Sequence, residues 1–225
     1  MAEKRYSIVY EDDSIIVIDK PSGMLVIPTP KKEINTLTDL INNDLDSRRI
    51  EANAYPCHRL DRETSGLIVY AKGKAAQRLV MDQFKDRQVK KTYTAFVQGR
   101  VKRSVGTISG NIYNRDKGCP ESAVTKYITT DKRKNFTVVE VEPITGRTNQ
   151  IRIHFKTIGH PLVGESVYAF RKDYELKFKR VALHAKRIEF KHPATGEKMI
   201  FDSPLPADMA DFLRNNKSLV QQEER

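Results

Sequence analysis

The 225-residue chain is 39% hydrophobic and 31% charged, with a formal net charge of +11 and a pI near 9.6. This composition suits a folded soluble protein with a sizeable core, large enough for one big domain or two small ones, and argues against a disordered or membrane-embedded chain. The basic excess points to a polyanionic partner, nucleic acid first and an anionic membrane surface second. Cys57 and Cys119 form no CxxC pair and imply no disulfide framework, so a reduced interior is the simpler expectation. The opening MAEKRYSIVY lacks the apolar run of a signal peptide, and no stretch is long enough to span a bilayer. The expected address is the cytoplasm.

Ser7–Tyr10 and Ile15–Asp19 read as strands around the turn Glu11-Asp12-Asp13-Ser14. Lys20-Pro21-Ser22-Gly23 turns the chain again, Pro21 fixing one torsion and Gly23 accepting a positive one. Leu37, Leu40, Ile41 and Leu45 recur at helical spacing, which predicts a helix over Thr36–Leu45. A polar linker, Arg48–Ala54, leads to His58–Val69 (HRLDRETSGLIV), where charged pairs and a Ser-Gly breaker run into the strand Leu67–Ala71. Asp61 is thereby expected on an ordered turn at the mouth of a sheet.

A second helix, from about Lys74 to Asp86, sets Ala76, Leu79, Val80 and Phe84 on one side. Lys85–Arg103 carries seven basic residues against one acidic and contains the alternating strand Thr92–Val97. Gly106–Glu121 reads as an irregular excursion with at most short strands, followed by strands at Ser122–Thr130 and Phe136–Val141. Pro143–Arg147 turns the chain into Gln150–Phe155, read as a strand with Ile151, Ile153 and Phe155 on one face and Gln150, Arg152 and His154 on the other. The glycine-bounded loop Gly159–Gly164 precedes a polar, aromatic stretch reaching Tyr174, and Arg171–Lys191 forms a second basic cluster. A strand from Val181 to Phe190, a short strand at Lys198–Phe201 and a helix at Pro206–Leu213 complete the order, with a polar, frayed end. With no repeat and no Gly/Ser linker, one domain over residues 1–225 is expected. Its fold class is α+β, a mixed and mostly antiparallel sheet flanked by helices and loops.

Taken bare, the candidate residues each keep two readings. Asp61 is a reactive carboxylate, or one member of a solvated turn with Arg59, Arg62 and Glu63. Tyr93 is a flat surface for a base, or a packed strand aromatic; Arg152 reaches a carboxylate, or lies on a strand surface; Lys20 lies by a cleft, or in a basic turn. The basic, aromatic-bearing strand around Tyr93 suits RNA, since phosphates attract Lys and Arg while bases stack on rings, but a solvated edge strand has the same composition. HExxH, Cys/His ligand spacing, GxGxxG and Walker-type loops are all missing, so neither a metal nor a nucleotide cofactor is expected.

HRLDRETSG, together with Tyr10–Ile27, KTYTA at Lys91–Ala95, GRTNQIRIH at Gly146–His154, GHPLVG, and His184 through Pro206, resembles the RluA-type pseudouridine synthases over residues 8 to about 208. The resemblance implies isomerisation of uridine to pseudouridine within RNA, with no metal and no organic cofactor; the expected partner is structured RNA, ribosomal or transfer, and the expected state a monomer. It assigns Asp61 as the catalytic aspartate, Tyr93 as the active-site tyrosine against the uracil, and Arg152 as the arginine that pairs with the aspartate. Arg59 falls on an arginine that helps displace the target base, Leu183 on a nonpolar position near the pocket, and Lys20 on the family's lysine-proline-glycine turn near the cleft. Asn149 departs from the family pattern, which often has histidine there, and little effect on chemistry is expected. The small N-terminal RNA-binding domain of many relatives is not expected in this chain.

The reaction breaks a C–N glycosidic bond and rejoins the base through C5, so a carboxylate near the electron-poor sugar carbon is the minimum equipment. Attack on C1′, removal of the C2′ proton and attack on C6 all remain open for Asp61. The target nucleotide must leave its stack to be reached. Rival readings are a non-catalytic RNA-binding protein of the same fold, an N-glycosidase that hydrolyses the bond, and a basic membrane-surface protein.

Overall fold

The computed structural model describes residues 5–30, 33–169 and 176–216. It is α+β, as expected, with mostly antiparallel β-sheet and four helices among the described residues. The chain forms two compact units, one built from residues 1–90 and 185–203 and the other from 91–184 and 204–225.

In the first unit, β1 (Ser7–Glu11) and β2 (Ile15–Lys20) form a hairpin. Its turn is closed by the Asp12 carboxylate, which accepts from the amides of Ser14 and Ile15. Beside β2 runs β4 (Ser65–Lys72), with Val17 opposite Val69, and next comes β9 (Leu183–Lys191, all but its first two residues). The short β3 (Ala54–Pro56) and β10 (Lys198–Asp202) pair with β4 and β9. Four consecutive residues of β2, Ile15 to Ile18, are buried, which a strand achieves only when both faces are covered.

One cover is α2 (Lys74–Lys85), whose Val80 packs with Ile15, Val17, Leu67, Val69 and Ile188. Leu79, expected on that side, is instead 52% exposed. Its neighbour Val80 takes the centre of the helix stripe. The second helix, α1 (Leu37–Ser47), starts at a capping box in which Thr36 and Asp39 satisfy each other's amides, and it buries Leu37, Ile41 and Leu45. Thr38, on its first turn, hydrogen-bonds the hydroxyl of the fully buried Tyr70 on β4.

The second unit carries β5 (Lys90–Gln98, all but its first residue), β8 (Phe136–Pro143), β7 (Cys119–Lys132) and β6 (Val105–Asn114) in that spatial order. The irregular excursion expected at Gly106–Glu121 is in fact a long hairpin, with β6 paired to β7 from Val105↔Ile128 to Asn114↔Cys119. Ile108 and Ile112 face inward while the residues between them are small or polar, so few apolar side chains mark the strand.

The expected strand at Gln150–Phe155 is also overturned: these residues open α3 (Gln150–Thr157). Its buried side chains, Gln150, Ile151, Arg152, His154 and Phe155, follow helical rather than two-residue spacing, and Phe155 meets the Tyr127 ring at 5.4 Å. The last helix, α4 (Ala207–Asn215), buries Met209 among Phe96, Phe136, Val138, Val163 and Ala182, with Phe212 stacked on Phe96. Residues 170–175, which hold the end of the aromatic stretch reaching Tyr174 together with Arg171 and Lys172 of the second basic cluster, and residues 217–225 lie outside the described residues.

Candidate active site

In the first unit the segment carrying Asp61 is fastened at both ends. Upstream, the Cys57 amide donates to the Val69 carbonyl, the Val69 amide donates to His58 Nε2 at 3.1 Å, and the His58 ring lies 4.7 Å from Phe84 on α2. Leu60 points into the core, Arg59 stands exposed, and Asp61 is half-buried between them and Arg62. The Asp61 carbonyl accepts from the Thr64 amide at 3.0 Å, closing a four-residue turn. Immediately after it, Gly66 adopts φ +109 with its α-carbon against β9: a β-carbon there would sit 2.3 Å from the Ala185 carbonyl oxygen. Only glycine fits.

The Lys-Pro-Ser-Gly turn is laid along this segment. Gly23 donates to the Arg62 carbonyl at 2.8 Å, Arg62 Nε returns a bond to the Gly23 carbonyl, and the Ser22 hydroxyl donates to the Glu63 carbonyl. Lys20 is fully buried beneath, its ammonium within 2.9–3.3 Å of the carbonyls of Pro21, Met24 and Arg62. A buried ammonium needs oxygen partners for its N–H groups, and here main chain supplies three. Lys20 thus ties its own turn to the one that carries Asp61.

The second unit holds Tyr93, Arg152 and Leu183. Tyr93 lies opposite Val141 in the β5–β8 register and is 9% exposed. Lys91, two residues earlier on the strand, brings its Nζ to 3.9 Å from where a β-carbon on Gly146 would stand, and burial pulls its pKa below the ordinary lysine value. Leu183 is buried, and its carbonyl accepts from Arg180 NH1. Arg180 is fixed in turn by a bidentate pair to Asp208 on α4, at 2.6 and 2.9 Å.

Arg152, on the first turn of α3, is buried and held on three sides. Its Nε and NH2 donate to the two oxygens of Glu165 at 2.7 and 2.8 Å, its NH1 donates to Asn149 Oδ1 at 2.9 Å, and its guanidinium lies 5.2 Å from the centre of the Tyr168 ring. Burial alone pushes the Glu165 carboxyl up, but Arg152 and the amides of Val167 and Tyr168 outweigh it and hold the pKa below its ordinary value. Beneath α3 runs a buried polar chain. Thr145 donates to Gln150 Oε1, Gln150 Nε2 donates to Thr125 Oγ1, and Thr125 Oγ1 meets His154 Nδ1 at 2.8 Å. Nε2 of His154 has no partner among the described residues, and burial pulls its pKa down, which favours the neutral ring.

Of the six residues expected from sequence, the structure therefore places Asp61, Arg59 and Lys20 in one unit and Tyr93, Arg152 and Leu183 in the other. It links Lys20 directly to the Asp61 turn. Glu165, Tyr168 and Arg180 were not expected. A signal existed for Glu165, a carboxylate immediately after the apolar run Pro161–Gly164, where burial demands a counter-charge.

Residues 14–157 match the family model described as RNA pseudouridylate synthase. The chain is 39% identical over 220 residues to the uncharacterized RNA pseudouridine synthase YlyB of Bacillus subtilis, covering 92% of this chain and 72% of that protein. It is 37% identical over 235 residues to the ribosomal large subunit pseudouridine synthase D of Pseudomonas aeruginosa, covering 96% and 72%. Among solved structures, human RNA pseudouridylate synthase domain containing 4 superposes with a TM-score of 0.78 at 26% identity, covering 92% of each chain. The chain belongs to the RNA pseudouridylate synthase family, and within it to the RluA type. Its activity is that of an isomerase, an RNA pseudouridine synthase.

Proposed function

We propose that this enzyme converts specific uridines of structured RNA to pseudouridine, acting as a cytoplasmic monomer without metal or organic cofactor. Large-subunit ribosomal RNA is the first candidate substrate and transfer RNA the second; the names of relatives such as the Pseudomonas aeruginosa protein support that order. Asp61 is the carboxylate that acts at the ribose, Tyr93 the flat face for the uracil, and Arg152 the cation that favours the ionised carboxylate. Arg59 helps displace the target nucleotide from its stack, and Leu183 lends an apolar surface to it. Lys20 serves the substrate indirectly, through the turn that it anchors.

The observation that carries this reading is the construction around Asp61. A half-buried carboxylate stands on a four-residue turn whose neighbours are bonded to main chain on both sides, while the adjacent Arg59 is exposed. A salt-bridged surface turn needs no buried lysine beneath it. Preorganisation of this kind suits a group that must act on one atom.

Incubation with uridine-5-tritiated RNA from cells lacking the protein tests the reading. Tritium release to water by the wild type, abolished in Asp61→Asn with RNA binding kept, is the expected result, and mapping the modified position identifies the RNA. Undiminished release by Asp61→Asn rejects the role given to that residue, and free uracil among the products replaces isomerisation by hydrolysis.

A further inference from the structure

The guanidinium of Arg152 is more tightly constrained than charge neutralisation requires. The Glu165 fork fixes the plane of the group, Asn149 Oδ1 holds its third nitrogen, and the Tyr168 ring packs on its face. These partners are themselves immobilised. Glu165 Oε1 also accepts from the amides of Ser166, Val167 and Tyr168 at 3.0, 2.8 and 3.2 Å, so the carboxylate is part of the loop's main-chain bonding. Asn149 stands in the left-handed region, φ 54, at the start of α3, and its Nδ2 donates to the Tyr168 hydroxyl at 2.9 Å. The contacts thereby close on themselves: arginine to asparagine, asparagine to tyrosine, tyrosine back onto arginine.

Both Arg152 and Glu165 are buried, at 7% and 4% exposure. Three of the five guanidinium N–H groups are accounted for by Glu165 and Asn149, and those three bonds dictate where the remaining edge of the group is aimed. An arginine with four side-chain torsions has been reduced to a single aimed cation.

We propose that Glu165 is a positioning residue for the reaction, acting through Arg152, with Asn149 and Tyr168 completing the cage. This rests on the reading that Arg152 takes part in catalysis. Asn149 acquires a definite task, because its amide supplies an acceptor to one member of the cage and a donor to another. Glu165→Gln keeps the shape but turns an NH2 toward an N–H of Arg152, which breaks the fork. Glu165→Asp keeps the charge on a shorter arm.

Single-turnover tritium release from uridine-5-tritiated total RNA of cells lacking the protein, measured over a range of enzyme concentrations, gives a maximal rate and a half-saturating concentration for each variant. For Glu165→Gln the maximal rate falls about tenfold to a hundredfold, the effect of a misplaced catalytic group. Its half-saturating concentration stays within about twofold, as expected when RNA contacts are intact. Glu165→Asp recovers part of the rate, and Arg152→Gln/Glu165→Gln is no slower than Arg152→Gln alone, since a residue acting only through Arg152 has nothing further to lose. Wild-type rate in Glu165→Gln with a slow Arg152→Gln overturns the positioning role and leaves Arg152 standing. Wild-type rate in Arg152→Gln overturns the reading beneath it. Additive losses, or losses that track the folded fraction by circular dichroism, assign Glu165 to the scaffold alone. Should Glu165→Gln not fold, Glu165→Asp and its double variant with Arg152→Gln carry the same comparison.

Discussion

A buried ammonium is tolerated only where oxygen replaces the water it has lost. Lys20 meets that condition with three main-chain carbonyls, one of them from Arg62, the residue after Asp61. Replacing it by methionine fills the same space but leaves those carbonyls without the donor. We expect Lys20→Met to lose about 3 kcal/mol of stability in urea titration. The tritium-release rate of the folded protein should fall as well, because the Asp61 turn loses its anchor. Unchanged stability and rate would mean that the turn is held without the ammonium. The sequence places Lys20 in the right turn but says nothing of burial, since a lysine beside Pro-Ser-Gly has the composition of a solvated bend. Asp61, by contrast, is legible from HRLDRETSG because the whole string serves one turn, and each of its features has a counterpart in the structure: His58 receives Val69, Gly66 meets Ala185.

At the level of elements, α3 shows why a short run misleads. Ile151, Ile153 and Phe155 alternate with polar residues, and six residues fit the strand template as well as the helix template. The deciding features lie elsewhere in the chain. The left-handed Asn149 launches the helix, and Gln150 bonds back to Thr145 and across to Thr125 on β7. That buried polar chain ends at His154, whose folded-state pKa is depressed by desolvation. The unfolded chain therefore binds a proton more readily than the folded one, and stability is lost as pH falls below the ordinary histidine value of 6.5, down to the lower folded value. Glu165 is depressed in the carboxylate sense, so its contribution is complete above the ordinary glutamate value of 4.5 and fades only as pH falls through the lower folded value. The two windows are separate. Chemical denaturation between pH 7 and 5 should show His154→Gln with a flatter acid limb than the wild type; parallel curves would mean that His154 does not titrate against folding. The β6–β7 hairpin was hidden for a different reason: Gly106, Gly110 and polar residues surround two inward isoleucines, and the ladder itself contributes no sequence signal.

Across the whole molecule, the chain passes between its two units at Lys90–Lys91 in β5, at His184–Ala185 in β9, and at Ser203–Pro204. Two of these crossings fall inside strands, where no Gly/Ser linker is possible, so composition shows an uninterrupted chain. Charge is the property that composition does report directly. A net +11 is an excess of cations over carboxylates that no internal ion pairing removes, and the basic run before β6 lies in the open: Arg100, Lys102 and Arg103 are all exposed, while the intervening Val101 is buried and bonded to Thr137. That anchoring of Val101 holds the three cations outward on a fixed stem. Phosphate binding by such groups releases condensed counterions, so the logarithm of the affinity for structured RNA should fall linearly with log salt. Each cation that contacts a phosphate adds about one unit to the slope. Filter binding of total RNA at a series of KCl concentrations should therefore give a slope shallower by about 1 to 2 units for Lys102→Ala/Arg103→Ala than for the wild type. Because neither residue is among the described hydrogen-bond partners of Arg152, Glu165 or Asn149, the maximal single-turnover rate at saturating enzyme should be retained. A slope equal to that of the wild type would remove this stem from the RNA-facing surface and leave the attraction to basic residues elsewhere on the chain.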